Sequence, residues 1–181
     1  MSQTQHLPGD VPAEERMARM IRVDHAGEYG AKRIYQGQLA VLGRGGKAHV
    51  LRHMQAQEQH HLDIFGAMIG ARRVRPTALL PLWHVAGFLL GAATAALGEK
   101  AAMACTVAVE EAIDEHYSRQ AAELGEEEAG LRDTIETFRA EELEHRDIGL
   151  EHGAEQAPGY NLMRQAIKAG CRVAIAVSER V

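Results

Sequence analysis

The chain has 181 residues, which suits a single domain with a sizeable hydrophobic core. Apolar residues make up 46% and aromatic residues 4%, and helix formers are plentiful while β-branched runs at strand spacing are absent, so an all-α fold is predicted. The net charge of -5 leaves no electrostatic footprint for nucleic acid, and the two distant cysteines indicate reduced thiols rather than a disulfide framework or a metal site.

The first residues lack the pattern of a targeting signal. Residues 1–19 contain Pro8, Gly9, Pro12 and two adjacent acidic residues, with no apolar run and without the Arg and Ser richness of an organelle transit sequence. We therefore expect residues 1–13 to be flexible and the chain to be bacterial and cytoplasmic or a mature organellar protein.

Periodic apolar stripes predict six helices in one domain of 181 residues. Glycines at 43–46, a basic linker at 71–77, an acidic turn at 125–130, and Gly153 with Pro158 separate most of them. The predicted helices run over about 14–42, 47–69, 78–98, 99–124, 131–151 and 160–178.

An internal repeat links two of these helices. Residues 58–64 and 142–148 both read Glu-x-x-His-x-Asp-Ile, and each motif follows, roughly thirty residues later, a Glu on the apolar stripe of the preceding helix. Glu28 and Glu58 are equally far from the first glycine turn, and Glu110 and Glu142 are equally far from the acidic turn. In two antiparallel hairpins, such residues lie at the same height.

The repeat therefore predicts four carboxylates and two imidazoles in one buried layer. Burying several unpaired carboxylates costs several kcal/mol each, and no Lys or Arg lies on these stripes to pair with them. Two divalent cations would balance the charge, and this ligand set is typical of di-iron and di-manganese bundles; zinc prefers a tetrahedral shell. The predicted metal ligands are Glu28, Glu58, His61, Glu110, Glu142 and His145.

Other polar residues on the stripes allow more than one interpretation. Asp24 and Asp114 lie one turn from Glu28 and Glu110, where either could orient a ligand histidine or simply bond to a neighbouring helix. His25, His116 and Tyr117 are near the layer in sequence and could border a substrate cavity, but an ordinary structural role is the favoured interpretation. The remaining histidines are expected at the surface or in ordinary helix positions.

The segment 78–98 has no charged residue apart from a protonatable His84 and is long enough to cross a bilayer. A single crossing would separate the two hairpins and prevent the six-residue layer. We therefore expect an apolar helix in the membrane interface, helped by Trp83, the basic linker and the C-terminal helix. The alternative is that both helices form core or a subunit interface.

Several segments resemble the demethoxyubiquinone hydroxylase family of ubiquinone biosynthesis. The similarity covers about residues 20–181 and is carried by RVDHAGEYGAKRIYQGQ at 22–38, RVRPT at 73–77, PLW at 81–83, ACTVAVEE at 104–111, EELEHRDIG at 141–149, AGCRVAI at 169–175 and SER at 178–180. The family's iron ligands correspond to the six residues above, with Glu110 rather than Glu111 and Glu142 rather than Glu141.

This resemblance implies a ferritin-like four-helix bundle with two additional helices and a di-iron monooxygenase with two iron ions per chain. O2 is its co-substrate, a polyprenyl demethoxyquinol its substrate, and NADH a candidate electron source. Because an organelle targeting extension is not seen, we expect peripheral attachment to the cytoplasmic face of the bacterial inner membrane. A homo-oligomer and a lipid-binding partner protein are both left open by the sequence. No Gly-x-Gly-x-x-Gly follows a strand, so no dinucleotide fold is expected in the chain.

Three other interpretations remain open at this point. The ligand layer alone does not separate catalysis from ferritin-like iron oxidation and storage. A di-iron hydroxylase of another substrate, such as tRNA, is disfavoured by the acidic charge and the apolar helix. A metal-free membrane adaptor would be distinguished by its metal content.

Overall fold

The computed structural model describes residues 11–181, and within them the chain is helical without strands. Two short 3₁₀ turns, Glu126–Glu128 and Ala154–Gln156, precede α5 and α6 respectively. The helices are α1 (Ala13–Leu42), α2 (Ala48–Ala71), α3 (Leu80–Ala96), α4 (Glu99–Glu123), α5 (Ala129–Glu151) and α6 (Tyr160–Ser178).

The all-α prediction is confirmed, and every described helix ends within two or three residues of its expected bounds. Gly43 and the following glycines end α1, and Gly153 and Gly159, both with positive φ, separate α5 from α6. Most of the segment expected to be flexible, residues 1–13, lies outside the described residues, and Ala13 begins α1.

Two antiparallel hairpins form the central bundle. Helix α1 packs against α2, and α4 packs against α5, so each Glu-x-x-His helix lies beside the helix that precedes it. Two apolar clusters fill the bundle: one contains Tyr35, Leu51 and Met54, and the other contains Ile21 and Phe65. The predicted polar layer lies between them in sequence on α1 and α2, as expected for a buried site within a ferritin-like bundle.

Helices α3 and α6 cover the bundle on one side. Helix α3 runs parallel to α1 and approaches it very closely, since a Cβ on Gly87 or Gly91 would collide with the backbone of Gly30 or Ile34. A Cβ on Gly37 would likewise meet the backbone of α3 at Phe88. These small residues allow the two helix axes to come close together.

Helix α6 packs on α4 through an ion-pair network. Arg164 donates two hydrogen bonds to Glu111, and Lys168 bridges Glu111 and Glu115. Trp83 of α3 donates from Nε1 to the Ser178 hydroxyl at 3.0 Å, which connects the two covering helices. Each half of the chain therefore consists of one helical hairpin followed by one covering helix, α1–α3 in the first half and α4–α6 in the second.

Candidate metal centre

The structure brings the six predicted ligand residues together in the middle of the bundle. Each of them is at most 1% exposed. Helices α1 and α4 supply one carboxylate each, and α2 and α5 supply one carboxylate and one imidazole each. They are Glu28 on α1, Glu58 and His61 on α2, Glu110 on α4, and Glu142 and His145 on α5.

The six side chains form two overlapping groups of four. One group contains Glu28 and His61, and the other contains Glu110 and His145. Glu58 and Glu142 belong to both groups, and within each group the candidate ligand atoms lie within 4.8 Å of one another. Two shared carboxylates, each with two oxygens, are therefore placed to bridge two neighbouring cations, while the other residues each serve one.

Both imidazoles present Nδ1 to the centre of the cluster. His61 Nδ1 lies 3.1 Å from Glu142 Oε1 and 3.3 Å from Glu28 Oε2. His145 Nδ1 lies 3.2 Å from Glu142 Oε2 and 3.3 Å from Glu58 Oε1. Glu110 Oε1 lies 4.0 Å from His145 Nδ1, so all four carboxylates surround the two nitrogens, and Nδ1 is the atom that each histidine would offer to a metal.

The cluster needs positive charge that the protein does not supply from lysine or arginine in the described residues. Burial raises the pKa of Glu58 and Glu110 well above the ordinary value, and their carboxylate neighbours raise it further. Burial opposes a charge on His61, yet its contact with Glu142 and the nearby Glu28 carboxylate raise its pKa to about 12. Without a cation, these shifts favour retained protons on both the carboxyl groups and the imidazoles.

Unsatisfied oxygens indicate what would replace those protons. Glu28 Oε2, Glu110 Oε2 and both oxygens of Glu58 are buried without a hydrogen-bond partner. Such groups are costly in a low-dielectric interior unless they find a donor or a cation. Four carboxylates and two neutral imidazoles balance two divalent cations and offer the mixed oxygen and nitrogen donors that iron or manganese accepts. The residues therefore fit a di-metal centre.

A tyrosine supports each unshared carboxylate. Tyr35 of α1 donates its hydroxyl to Glu110 Oε1 at 2.7 Å, and Tyr117 of α4 donates to Glu28 Oε1. Burial raises the pKa of both phenols, so that both keep the proton they donate. Each tyrosine follows the Glu of its own helix by seven residues and serves the Glu of the other helix. Tyr117 was expected near the site; the matching role of Tyr35 was not.

The outer nitrogens of the two histidines also find partners across the bundle. His61 Nε2 lies 2.5 Å from Glu141 Oε2, and His145 Nε2 lies 2.9 Å from Gln57 Oε1. With Nδ1 turned to the centre, each Nε2–H donates outward, as metal-bound histidines ordinarily do. Sequence reasoning missed both partners, although each immediately precedes the Glu of a repeated motif.

Asp24 and Asp114 do not contact either histidine of the cluster. Asp24 Oδ1 accepts from Gln120 at 2.8 Å and lies 3.2 Å from His116 Nε2, and burial raises its pKa. Asp114 accepts a hydrogen bond from Arg139 of α5 at 2.6 Å. The alternative interpretation, bonding to a neighbouring helix, therefore describes both aspartates. His116 lies beside Asp24 and not in the six-residue cluster.

The choice between neighbouring glutamates follows from helix phase. Glu110 points into the cluster, whereas Glu111 faces α6 and pairs with Arg164 and Lys168. These cations lower the pKa of Glu111 despite its partial burial. Glu142 likewise points inward, and burial is outweighed by its bonds from His145 and His61, which lower its pKa to about 2.

An apolar cavity of about 410 Å³ lies between helices α1 and α4 of the bundle and the covering helices α3 and α6. Gly27 and Val109, each next to a cluster carboxylate in sequence, line its inner wall, and Trp83, Leu90 and Cys171 line its outer wall. His25, His116 and Tyr117 are not among its lining residues. A largely apolar ligand therefore suits the cavity, whose inner wall combines small residues such as Gly27 with Ile34 and Ile113.

The outer faces of α3 and α6 expose large apolar side chains. These are Leu82, Val85 and Leu89 on α3, and Leu162, Val173 and Val177 on α6. Leu89 is 59% exposed, while the neighbouring Leu90 turns inward to the cavity. Within residues 11–181, no helix is long and apolar enough to cross a membrane.

Comparison with known proteins identifies similar sequences. The family model described as "Ubiquinone biosynthesis protein COQ7" matches residues 15–178. The chain is 62% identical over 176 residues to the 3-demethoxyubiquinol 3-hydroxylase of Rhodospirillum rubrum, covering 97% of this chain and 83% of that protein. It is 57% identical over 167 residues to the human NADPH-dependent 3-demethoxyubiquinone 3-hydroxylase, mitochondrial, covering 90% of this chain and 77% of that protein.

Proposed function

The chain belongs to the family of ubiquinone biosynthesis protein COQ7, and we propose that it is a di-iron monooxygenase that hydroxylates the ring of a polyprenyl demethoxyubiquinol. The observation that carries the proposal is the pair of overlapping groups, each with one imidazole, that share Glu58 and Glu142. Storage proteins can hold similar metal layers, but the relatives' names and the adjoining apolar cavity favour an apolar organic substrate.

The reaction needs a reductant as well as O2. One oxygen atom replaces a ring hydrogen as a hydroxyl group, the other leaves as water, and the reductant supplies two electrons and two protons. When bound, the two iron ions supply the redox chemistry that activates O2. Glu28, His61, Glu110 and His145 would each hold one ion, and Glu58 and Glu142 would hold both.

The protein's own groups hold this centre in place and keep it dry. Tyr35 and Tyr117 fix one oxygen of Glu110 and of Glu28, which leaves the second oxygen of each free for a cation. Apolar clusters above and below exclude water, so that the charges interact in a low-dielectric space. A rigid frame of this kind keeps the site ready for substrate without reorganisation.

The cavity between the bundle and the covering helices would bind the polyprenyl tail. Its lining is almost wholly apolar, and Gly27 and Val109 place its inner wall one residue from Glu28 and Glu110. Because Gly27 has no side chain, this part of the wall would offer a ring the least bulk on the side of Glu28. Leu90 and Trp83 of α3 would then cover the tail.

The exposed apolar faces of α3 and α6 would lie in the membrane interface, where the substrate resides. Arg73 and Arg75 are exposed in the linker just before α3 and suit an anionic lipid surface, whereas Arg72 is paired with Glu128. The attachment would be peripheral, on the cytoplasmic face of a bacterial inner membrane. A lipid-binding partner protein or a second copy of the chain could share this surface.

We propose a reduced nicotinamide nucleotide as the electron donor. NADH is the expected donor, while the human relative is named as NADPH-dependent. Initial rates with NADH and with NADPH, at equal concentration, distinguish the two. Equal rates would mean that the enzyme does not discriminate between NADH and NADPH by the additional phosphate group of NADPH.

Turnover under labelled oxygen tests the function. Protein reconstituted anaerobically with Fe(II) should convert a short-tailed demethoxyquinol to a product that carries one atom from ¹⁸O2, measured by mass spectrometry. Glu110→Gln should abolish the product, and the matched Glu111→Gln should retain most of it. Iron oxidation without any hydroxylated product in the unaltered protein would favour storage and reject the enzyme.

A further inference from the structure

The candidate centre is two-fold symmetric in almost every group. Glu58 corresponds to Glu142 and His61 to His145. The supporting tyrosine of α1 donates to the Glu of α4, and the tyrosine of α4 donates to the Glu of α1. The outer partners of the histidines occupy equivalent positions too, each directly before the shared Glu. At that position one hairpin has Gln57 and the other has Glu141.

Among the groups that hydrogen-bond the six cluster side chains, this position is where the two halves differ in charge. Glu141 of α5 reaches across to His61 of α2, and Gln57 of α2 reaches back to His145 of α5. The Glu141 contact is the shorter, 2.5 Å against 2.9 Å, and joins an N–H donor to a side chain that is 33% exposed. Phe138 stacks on His61 and corresponds to Met54 in the repeat, but neither side chain carries a charge.

A carboxylate and an amide act differently on a metal-bound imidazole. A carboxylate accepting from Nε2–H draws the proton toward itself and makes Nδ1 a stronger electron donor. The neutral amide oxygen of Gln57 orients the ring without adding negative charge. The two metal positions therefore receive imidazoles of unequal basicity, although their inner ligands match.

We propose that Glu141 is a positioning residue that makes the two metal positions unequal, so that the Glu28 and His61 position binds its cation more tightly and fills first. The inference rests on the proposed function, because it assumes that the cluster holds two metals. Outer partners of this kind change metal affinity by about 10- to 100-fold, and a difference of that size would appear as two separate binding steps.

The reciprocal exchange at residues 57 and 141 tests this assignment. Metal-free protein is titrated anaerobically with Co(II), followed by calorimetry and by the visible absorption of the bound ion. Glu141→Gln should weaken the tighter step by about 10- to 100-fold and merge the two steps. Gln57→Glu should strengthen the weaker step instead, and the double exchange should restore two steps.

A charge-matched control separates the hydrogen bond from simple electrostatics. Glu144 is exposed on the same helix and makes no side-chain hydrogen bond in the described residues. Glu144→Gln removes the same charge and should leave both steps and the Co(II) spectrum unchanged.

The possible outcomes are distinct. Two steps that persist unchanged in Glu141→Gln, or an equal effect of Glu144→Gln, would overturn the inference and leave the metal centre standing. Protein that binds no Co(II) at the cluster would overturn the proposed function together with it.

Discussion

Leu89 and Leu90 are neighbours that face opposite ways, which makes them a matched pair for the membrane proposal. Leu89 is 59% exposed on the outer face of α3, and Leu90 lines the cavity. Burial of a whole leucine side chain contributes roughly 1.5–3 kcal/mol, so the exposed share of Leu89 contributes about 1–2 kcal/mol to lipid binding. Leu89→Glu should lose that amount and add the cost of a charge near the acyl region.

The expected loss corresponds to vesicle affinity weakened by at least roughly 5- to 30-fold, measured by co-sedimentation with vesicles that contain anionic lipid. Iron content and turnover of a tail-free quinol should be kept, while turnover of a long-tailed quinol should fall. Leu90→Glu should retain vesicle binding, because the residue does not face outward, and should lower long-tail turnover through the cavity. Unchanged vesicle binding by Leu89→Glu would refute the membrane role, and loss of iron in that variant would place its side chain in the core.

Two further predictions concern stability. Gly91→Ala should cost about 1–3 kcal/mol because its Cβ would collide with the backbone of Ile34, whereas Gly66→Ala in open space on α2 should stabilise by about 0.5–1 kcal/mol; equal melting temperatures would contradict this. Burial raises the pKa of Glu58 and Glu110 above the value of 4.5 in an unfolded chain, so metal-free protein holds protons that unfolding releases. The unfolding free energy of the metal-free protein should therefore fall as pH rises above 4.5, by about 1.4 kcal/mol per pH unit for each such proton. Saturating metal should remove this dependence on pH. Denaturant titrations of the metal-free protein that give the same unfolding free energy at every pH would refute the prediction.

The helices and the six-residue cluster were accessible from the sequence because each depends on short-range periodicity. A stripe repeating every three or four residues defines a helix, and equal distances from a turn define height in a hairpin. Glu28 and Glu58 needed only these two rules. Helix phase also separated Glu110 from Glu111, since one residue turns a side chain by about 100°.

The contacts between hairpins could not be obtained in this way. Whether Glu141 reaches His61 depends on the rotation and separation of α2 and α5, which no local pattern encodes. Asp24 shares a stripe with Glu28, yet it bonds Gln120 and lies beside His116, because those side chains lie opposite it on α4. The parallel packing of α3 on α1 likewise depends on glycines that meet only after folding.

Iron content is the most direct test of the central claim. Chains loaded anaerobically with ⁵⁷Fe(II), desalted and analysed by elemental mass spectrometry and Mössbauer spectroscopy should hold about two iron ions each. Glu58→Ala and Glu142→Ala should lose most of both ions, because each of these carboxylates belongs to both groups. Glu111→Gln should retain them. Near-full iron content in Glu58→Ala and Glu142→Ala would contradict the assignment of the centre.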